Sequence, residues 1–284
     1  MVLVKFPCFK QCLCLRSLID KSLSTQETLY IAFVDIKNAF PSTNHSSLWL
    51  KLHHFGLTGH FFDWIRKLYA HMKYIILHDG HWSEEFSALT GVLIGDPLSP
   101  TLWNIFLSTF YLPKDPLDAS LSGCVISHLE HADDIVIISH SPSGFQNHLT
   151  SLSAWCRNNF LILNPSKSNV MIFGPIPPSP HSFYINNVPL PFTDSVKYIG
   201  VTFKSTTPDY FSLHYSNILS SACVSAQAIF NIGLYVGRNR LLPPLCQTLY
   251  MAMVDCHLIN GSDVAPDVSK DFVKTSSDVQ KHFI

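Results

Sequence analysis

The chain has little charge and no excess of either sign. Only 14% of its 284 residues are Asp, Glu, Lys or Arg, and nineteen basic against twenty acidic side chains leave a net charge of -1. Duplex binding leans on Lys and Arg at phosphates, so the composition argues against strong, autonomous nucleic-acid binding. A hydrophobic fraction of 47% beside so few charges excludes a disordered chain. No stretch of 18 apolar residues runs free of charge, which leaves no candidate membrane span. Lys5, Lys10 and Arg16 interrupt the apolar residues at the start, which makes a poor signal peptide. There is no internal repeat. Cysteine is not scarce, but of the eight only Cys8, Cys12 and Cys14 cluster, and their spacing lacks the second half of a zinc site. Free thiols in a reducing, intracellular compartment are the expectation, with nucleus and cytoplasm left open.

What is present is an arrangement of acids. Residues 131 to 138 read His-Ala-Asp-Asp-Ile-Val-Ile-Ile, two adjacent carboxylates before a β-branched run that reads as a buried strand. Adjacent carboxylates repel unless water or a cation separates them. Upstream, Ile31-Ala32-Phe33-Val34-Asp35 puts Asp35 at the end of another apolar strand. Acids at the ends of two neighbouring buried strands can converge on one site, an arrangement suited to hard cations such as Mg²⁺, which take one or two carboxylates plus substrate phosphates. A bare Asp-Asp is also an ordinary turn pair.

Periodicity organises the rest. Leu15, Leu18, Ile19 and Leu23 predict a helix over 13–24, and two more are expected over 46–55 and 60–72, broken at Gly56 to Gly59. Tyr74 to Leu77 and Trp82 to Ala88 flank Asp79-Gly80, a hairpin turn pair. A helix follows Pro97 to Pro100, and Ser141-Pro142 reads as the cap and first turn of another through Phe145, Leu149, Leu152 and Cys156. Strands are expected at 160–163, 170–173 and 196–203, with a proline-rich surface loop at 174–180. Helices are expected from about 211, separated by Leu242-Pro243-Pro244, before a polar, frayed final 20 residues. Strands and helices alternate irregularly, which favours α+β.

The order of motifs is specific. Asp35 is followed by Ala39-Phe40 and Asn44-His45, then by Gly91-Val92-Leu93-Ile94-Gly95-Asp96-Pro97-Leu98-Ser99-Pro100 and Ala132-Asp133-Asp134. Leu163-Asn164-Pro165-Ser166-Lys167 and Lys197-Tyr198-Ile199-Gly200-Val201 complete the series. This succession, across roughly residues 30 to 203, resembles the palm of reverse transcriptases, most closely those of non-LTR retrotransposons. The resemblance implies a helical remnant of the fingers and palm entry at 1–24, a mostly antiparallel palm sheet backed by helices at 25–205, and a helical thumb remnant at 206–284. It implies Mg²⁺-dependent DNA synthesis on an RNA template, with a DNA primer and dNTPs as partners and two ions expected, Mn²⁺ being an alternative. An endonuclease domain or neighbouring open reading frame is a further implied partner.

Residue by residue, the resemblance makes Asp35 and Asp133 the principal metal ligands, with Asp134 beside them. Phe40 corresponds to the aromatic beneath the incoming sugar, which excludes a 2′-hydroxyl. Gly91, Ile94, Gly95 and Asp96 fall in the loop that supports template and nascent base pair, Lys167 near the nucleotide phosphates, and Lys197 and Gly200 in the small sheet that grips the primer. The chain departs from the family pattern at Leu93 for Pro, Ile94 for Gln, His131 for an aromatic and Pro41 for an acid. Ile94 can neither donate nor accept a hydrogen bond, whereas Gln does both. Only about 30 residues precede the Asp35 strand, so most of the basic fingers region is expected to be missing. A polymerase domain with impaired activity and a catalytically dead descendant, serving only as a binding module or having no function, both fit these residues. A generic Mg²⁺ phosphohydrolase explains the acids but not the order of motifs. His128, Glu130 and His131 crowd the Asp133 turn and leave room for a competing transition-metal site.

Overall fold

The computed structural model describes residues 8–178, 181–236, 243–265 and 270–281, and the chain divides into two compact units. Thr25–Val170 and Gly174–Phe192 build the first, and the remaining described residues build the second. The chain opens on α1 (Cys8–Thr25), then runs through β1 (Leu29–Asp35), α2 (Ala39–Ser42), α3 (His45–His54) and α4 (Gly59–His71). Next come β2 (Leu77–His78), β3 (His81–Trp82), α5 (Ser99–Leu107), β4 (Ser120–Leu121) and β5 (Cys124–Val125). They lead to β6 (His128–His131), β7 (Asp134–Ser139), α6 (Pro142–Asn158) and β8 (Asn169–Phe173). After β9 (Tyr184–Ile185), β10 (Val188–Pro189), β11 (Ser195–Tyr198) and β12 (Val201–Lys204), the described residues are helical: α7 (Ser212–Val236), α8 (Pro243–Tyr250), a π-helical turn Met251–Asp255, α9 (Cys256–Leu258) and α10 (Lys270–Lys281).

The first unit is organised by a four-stranded sheet in the order β6-β7-β1-β8, the α+β arrangement expected of a polymerase palm. β1 and β7 are its centre. Leu29 to Val34 and Ile135 to Ile138 are all buried, so these strands are covered on both faces and read as continuous apolar runs instead of alternating ones. Cover comes from α6, where Phe145, Leu149, Leu152 and Cys156 lie at spacings of four, three and four and are each at most 1% exposed. Ser141 Oγ accepts the Gly144 N–H at 3.2 Å and Pro142 occupies the first turn, so α6 starts where its sequence predicts.

Two-residue turns close the short hairpins. Asp79 and Gly80 both take positive φ (48° and 78°), which matches the twist of the flanking strands. Ser122-Gly123 (51° and 79°) and Asn186-Asn187 (50° and 63°) do the same for β4–β5 and β9–β10, two hairpins that periodicity misses because their strands are only two residues long. The strand expected at 160–163 does not form. Phe160 takes φ 60°, outside the extended region, and only Leu163 makes a bridge, to Ile36.

In the second unit, α1 buries Cys12, Leu15, Leu18, Ile19 and Ser22, a stripe at helical spacing. The β11–β12 hairpin turns at Ile199-Gly200. The polar end expected to fray is instead helical as α10, because Phe272 and Val279, two turns apart, have partners: Phe272 meets Tyr215 at 5.2 Å between ring centroids, and Val279 packs on Ala222, Ala226, Ile229 and Val254. His214 is 2% exposed and joins three segments of this unit. Its Nδ1 faces the Thr202 N–H at 3.5 Å, and its Nε2 lies 3.0 Å from Asn260 O. Those partners fix the tautomer: Nε2–H donates to the carbonyl and Nδ1 accepts. Burial pushes the His214 pKa down, and Lys197 adds to that, against the opposing pull of the Asn260 carbonyl.

A histidine held neutral by the fold contributes stability above its unfolded pKa, about 6.5, and that contribution is lost as pH falls through the lower folded value. Thermal unfolding between pH 7.5 and 5.5 checks this. Replacing His214→Gln should lower the melting temperature at pH 7.5 and flatten its decline towards pH 5.5, and an equal decline in both proteins would sink the assignment.

Candidate active site

The six pairs of the β1–β7 ladder run from Tyr30↔Ser139 to Asp35↔Asp134. Residues directly opposed across an antiparallel pair stand on the same face, so the register delivers the Asp35 and Asp134 side chains to one place. His131 pairs with Asp134 across β6–β7, which leaves Ala132 and Asp133 as a two-residue turn. Ala132 takes φ 53°, the left-handed region that a β-carbon disfavours. Asp35 and Asp133 are half-buried and Asp134 is exposed. Partial desolvation raises the Asp134 pKa, the Asp133 and Asp35 carboxylates push it further, and His131 opposes them. Among the described residues none of these three carboxylates forms an ion pair with Lys or Arg.

The turn after the bridge at Leu163 clamps Asp35. Asn164 Nδ2 donates to Asp35 Oδ2 at 3.0 Å, and the Asn164 N–H donates to Asp35 O at 2.9 Å. The Asp35 N–H donates to Ser168 Oγ at 3.1 Å, and that hydroxyl donates to Asn164 O at 2.8 Å. Asn164 and Ser168, neither singled out as site residues by their motif, therefore fix the carboxylate from both sides of its peptide. Lys167 lies in the same turn with an exposed side chain.

Phe40 lies in α2, entered through Asn38 at φ 49°. Its ring stacks on Trp103, with centroids 5.5 Å apart and planes 23° apart. Gly91 and Val92 are stitched to the same turn: the Gly91 N–H donates to Thr43 O at 2.8 Å and the Val92 N–H to Phe40 O at 2.9 Å. His45 Nε2 adds a bond to Gly91 O at 2.7 Å. A β-carbon at Gly91, where φ is 99°, would lie 2.9 Å from Pro41 O, so only glycine allows the two backbones this close. Farther along, Ser99 N–H donates to Asp96 O at 3.2 Å as α5 begins. Between these anchors Gly95 takes φ 87° with open space around it, and Ile94 is 79% exposed. Trp103 is the residue that sequence reasoning missed. An aromatic at helical spacing reads as core, and its N–H partner, Ala132 O at 2.7 Å, is 29 residues away.

Lys197 and Gly200 belong to the second unit. Lys197 is exposed on β11, opposite Thr202, and Gly200 at φ 85° closes the turn to β12.

Among the described residues no group of three or more His, Cys, Asp or Glu side chains is arranged to hold a metal ion. His128 and Glu130 meet each other at 3.2 Å instead, and His128 packs edge-on to Phe110. The donor set at the strand ends is oxygen only, crowded and without a protein cation. That suits a hard divalent ion that draws its remaining ligands from substrate phosphate. No helix of the described residues is long and apolar enough to cross a membrane.

Residues 6–203 match the family model described as reverse transcriptase (RNA-dependent DNA polymerase). A Pol polyprotein of the type-2 retrotransposable element R2DM of Drosophila melanogaster is 30% identical over 188 residues, covering 62% of this chain and 18% of that protein. The polyprotein of a type-1 element R2 from Popillia japonica is 27% identical over 252 residues, 84% of this chain and 41% of that protein. The chain thus spans well under half the length of these curated relatives. Among solved structures, apo telomerase of Candida tropicalis truncated from its C-terminal domain aligns with a TM-score of 0.48 and 15% identity, over 71% of this chain and 38% of that one.

Because partial burial and, after it, the neighbouring carboxylates raise the Asp134 pKa, ionised Asp134 works against the metal-free fold, and this burden is absent below the ordinary carboxylate range and sets in as pH rises through the raised value. Asp134→Asn should therefore melt higher than the unaltered chain at pH 7 without divalent ions, and the gap should close near pH 4. Millimolar Mg²⁺ should raise the melting temperature of the unaltered chain more than that of the variant. A variant that melts lower at pH 7 would contradict the repulsion.

Proposed function

Because the chain belongs to the reverse transcriptase family, we propose that its first unit is the palm of a retroelement RNA-directed DNA polymerase, with Asp35, Asp133 and Asp134 as its cation ligands. The observation that carries the reading is the convergence of Asp35 and Asp134 as cross-strand partners beside the Asp133 turn, with no protein cation to balance them. Polymerases of this family use divalent metals, and Mg²⁺ is the ion we assign. Held by these carboxylates, such ions would lower the pKa of an attacking hydroxyl and steady the leaving oxygens.

The chain's own residues supply position. Asn164 and Ser168 hold Asp35 against rotation through its side chain and backbone. Phe40, half-buried and stacked on Trp103, offers a fixed ring edge beneath an incoming sugar, where bulk selects against a 2′-hydroxyl. The Gly91–Val92 strip, bonded to the same turn, would support a nascent base pair. Lys167, exposed in the turn that clamps Asp35, would neutralise triphosphate and return a proton to departing pyrophosphate. Lys197 and Gly200 would contact the primer end. The RNA template, DNA primer and dNTPs follow from this reading.

Ile94 weakens it as an efficient enzyme. Orientation can account for ~7–11 kcal/mol of a barrier, and a 79% exposed aliphatic side chain gives the template no hydrogen bond at the tip of the loop. Primer extension on a primed RNA template with Mg²⁺ and dNTPs tests the proposal. The unaltered chain should extend poorly, Ile94→Gln should raise incorporation several-fold, and Asp133→Asn should cut either product by about 100-fold or more, the scale of losing transition-state electrostatics. Product that survives Asp133→Asn would mean that the carboxylate is wrongly assigned. No product from the chain or from Ile94→Gln would reject a working polymerase.

A further inference from the structure

One buried side chain touches both halves of the proposed site. The Trp103 indole N–H donates to Ala132 O at 2.7 Å, and the same ring stacks on Phe40. Trp103 is 0% exposed, so its single donor has no water as an alternative. Behind it, Phe106 stacks at 5.5 Å and 13°, and Lys51 lies 4.0 Å above the Phe106 ring while donating to Phe106 O at 2.7 Å. The indole is thus fixed from the rear. In front, the carbonyl it holds belongs to Ala132, the non-glycine residue that must keep φ 53° for Asp133 to follow in a two-residue turn.

We propose that Trp103 is a positioning residue: its N–H locks the Ala132-Asp133 turn while its face sets Phe40, so the carboxylates and the sugar-facing ring cannot shift independently. The inference rests on the roles given to Asp133 and Phe40 above. It explains how a strained alanine turn persists in a hairpin that carries adjacent like charges. Phenylalanine at 103 would keep most of the stacking but leave Ala132 O without a donor. Glycine at 132 would remove the β-carbon that opposes the left-handed backbone, so it should compensate for the lost bond.

The test compares the full chain with Trp103→Phe, Ala132→Gly and the double variant, by amide hydrogen exchange without metal and by Mn²⁺ broadening of the Asp133 and Asp134 amides. Trp103→Phe should speed exchange at those amides and raise the Mn²⁺ dissociation constant, each by about fivefold, the size one net hydrogen bond supplies. Exchange at Ile137, in the middle of β7, should stay unchanged, and Ala132→Gly should restore both readouts to within about twofold. Phe40→Leu should loosen the same amides in the unaltered chain but add little in the Trp103→Phe background, as coupled residues do. If Trp103→Phe does not fold, replacing the indole with its benzothiophene isostere removes only the N–H, and the same shifts are expected. Unchanged exchange and affinity in the variant that folds overturn the role of Trp103. Absence of Mn²⁺ broadening in the unaltered chain overturns the carboxylate reading instead, while the exchange arm still reports whether Trp103 holds the turn.

Discussion

Asp35 reaches Asp134 because β1 and β7 pair in one register along two buried apolar runs. Four consecutive pairs place Ile31 to Val34 against Ile135 to Ile138 inside the molecule, with Asp35 and Asp134 paired at the end. A slip of one residue would turn every side chain to the opposite face and separate the two acids. Each fully buried Ile, Val or Phe contributes about 1.5–3 kcal/mol relative to exposure. The sum far exceeds the repulsion between carboxylates at the mouth of the ladder, so the core pays for the charges. The acids sit together because burial of the apolar runs behind them outweighs their repulsion.

From that ladder the surroundings are built by short-range backbone bonds. Asn164 and Ser168 hold the Asp35 peptide, while Gly91 and Val92 hold the Phe40 turn. Both contacts join segments distant in sequence, and both use backbone groups as well as side chains, which allows little drift. The Gly91 contact also separates the base of its loop from the tip: the base is in backbone contact with Pro41, whereas the tip is open.

The second unit follows a different logic. Its β11–β12 hairpin has a ladder of four pairs and is braced besides by a buried histidine, since His214 satisfies Thr202 N–H and Asn260 O at once. A stripe as narrow as Phe272 and Val279 is enough to dock α10, whose other residues are mostly polar. Composition alone reads such a segment as frayed because three apolar residues in twelve are a weak periodic signal.

The sequence by itself determined the palm-like α+β class, the helices at α1, α3, α4, α5 and α6, the Asp79-Gly80 hairpin, and the acids at two strand ends. These are local properties: periodicity, capping and turn chemistry act within a few residues. It also carried the order of motifs that marks the family. Tertiary structure decided what depends on partners far along the chain. Asp134, and not Asp133, stands opposite Asp35, because strand register is set by the pairing of two runs some 100 residues apart. Phe160 left the extended region and cancelled an expected strand. Trp103 was indistinguishable from any core aromatic until folding brought its N–H to Ala132 and its ring to Phe40. A side chain's chemistry is written in its own residue, but its partner is chosen by the fold, and no local pattern records that choice.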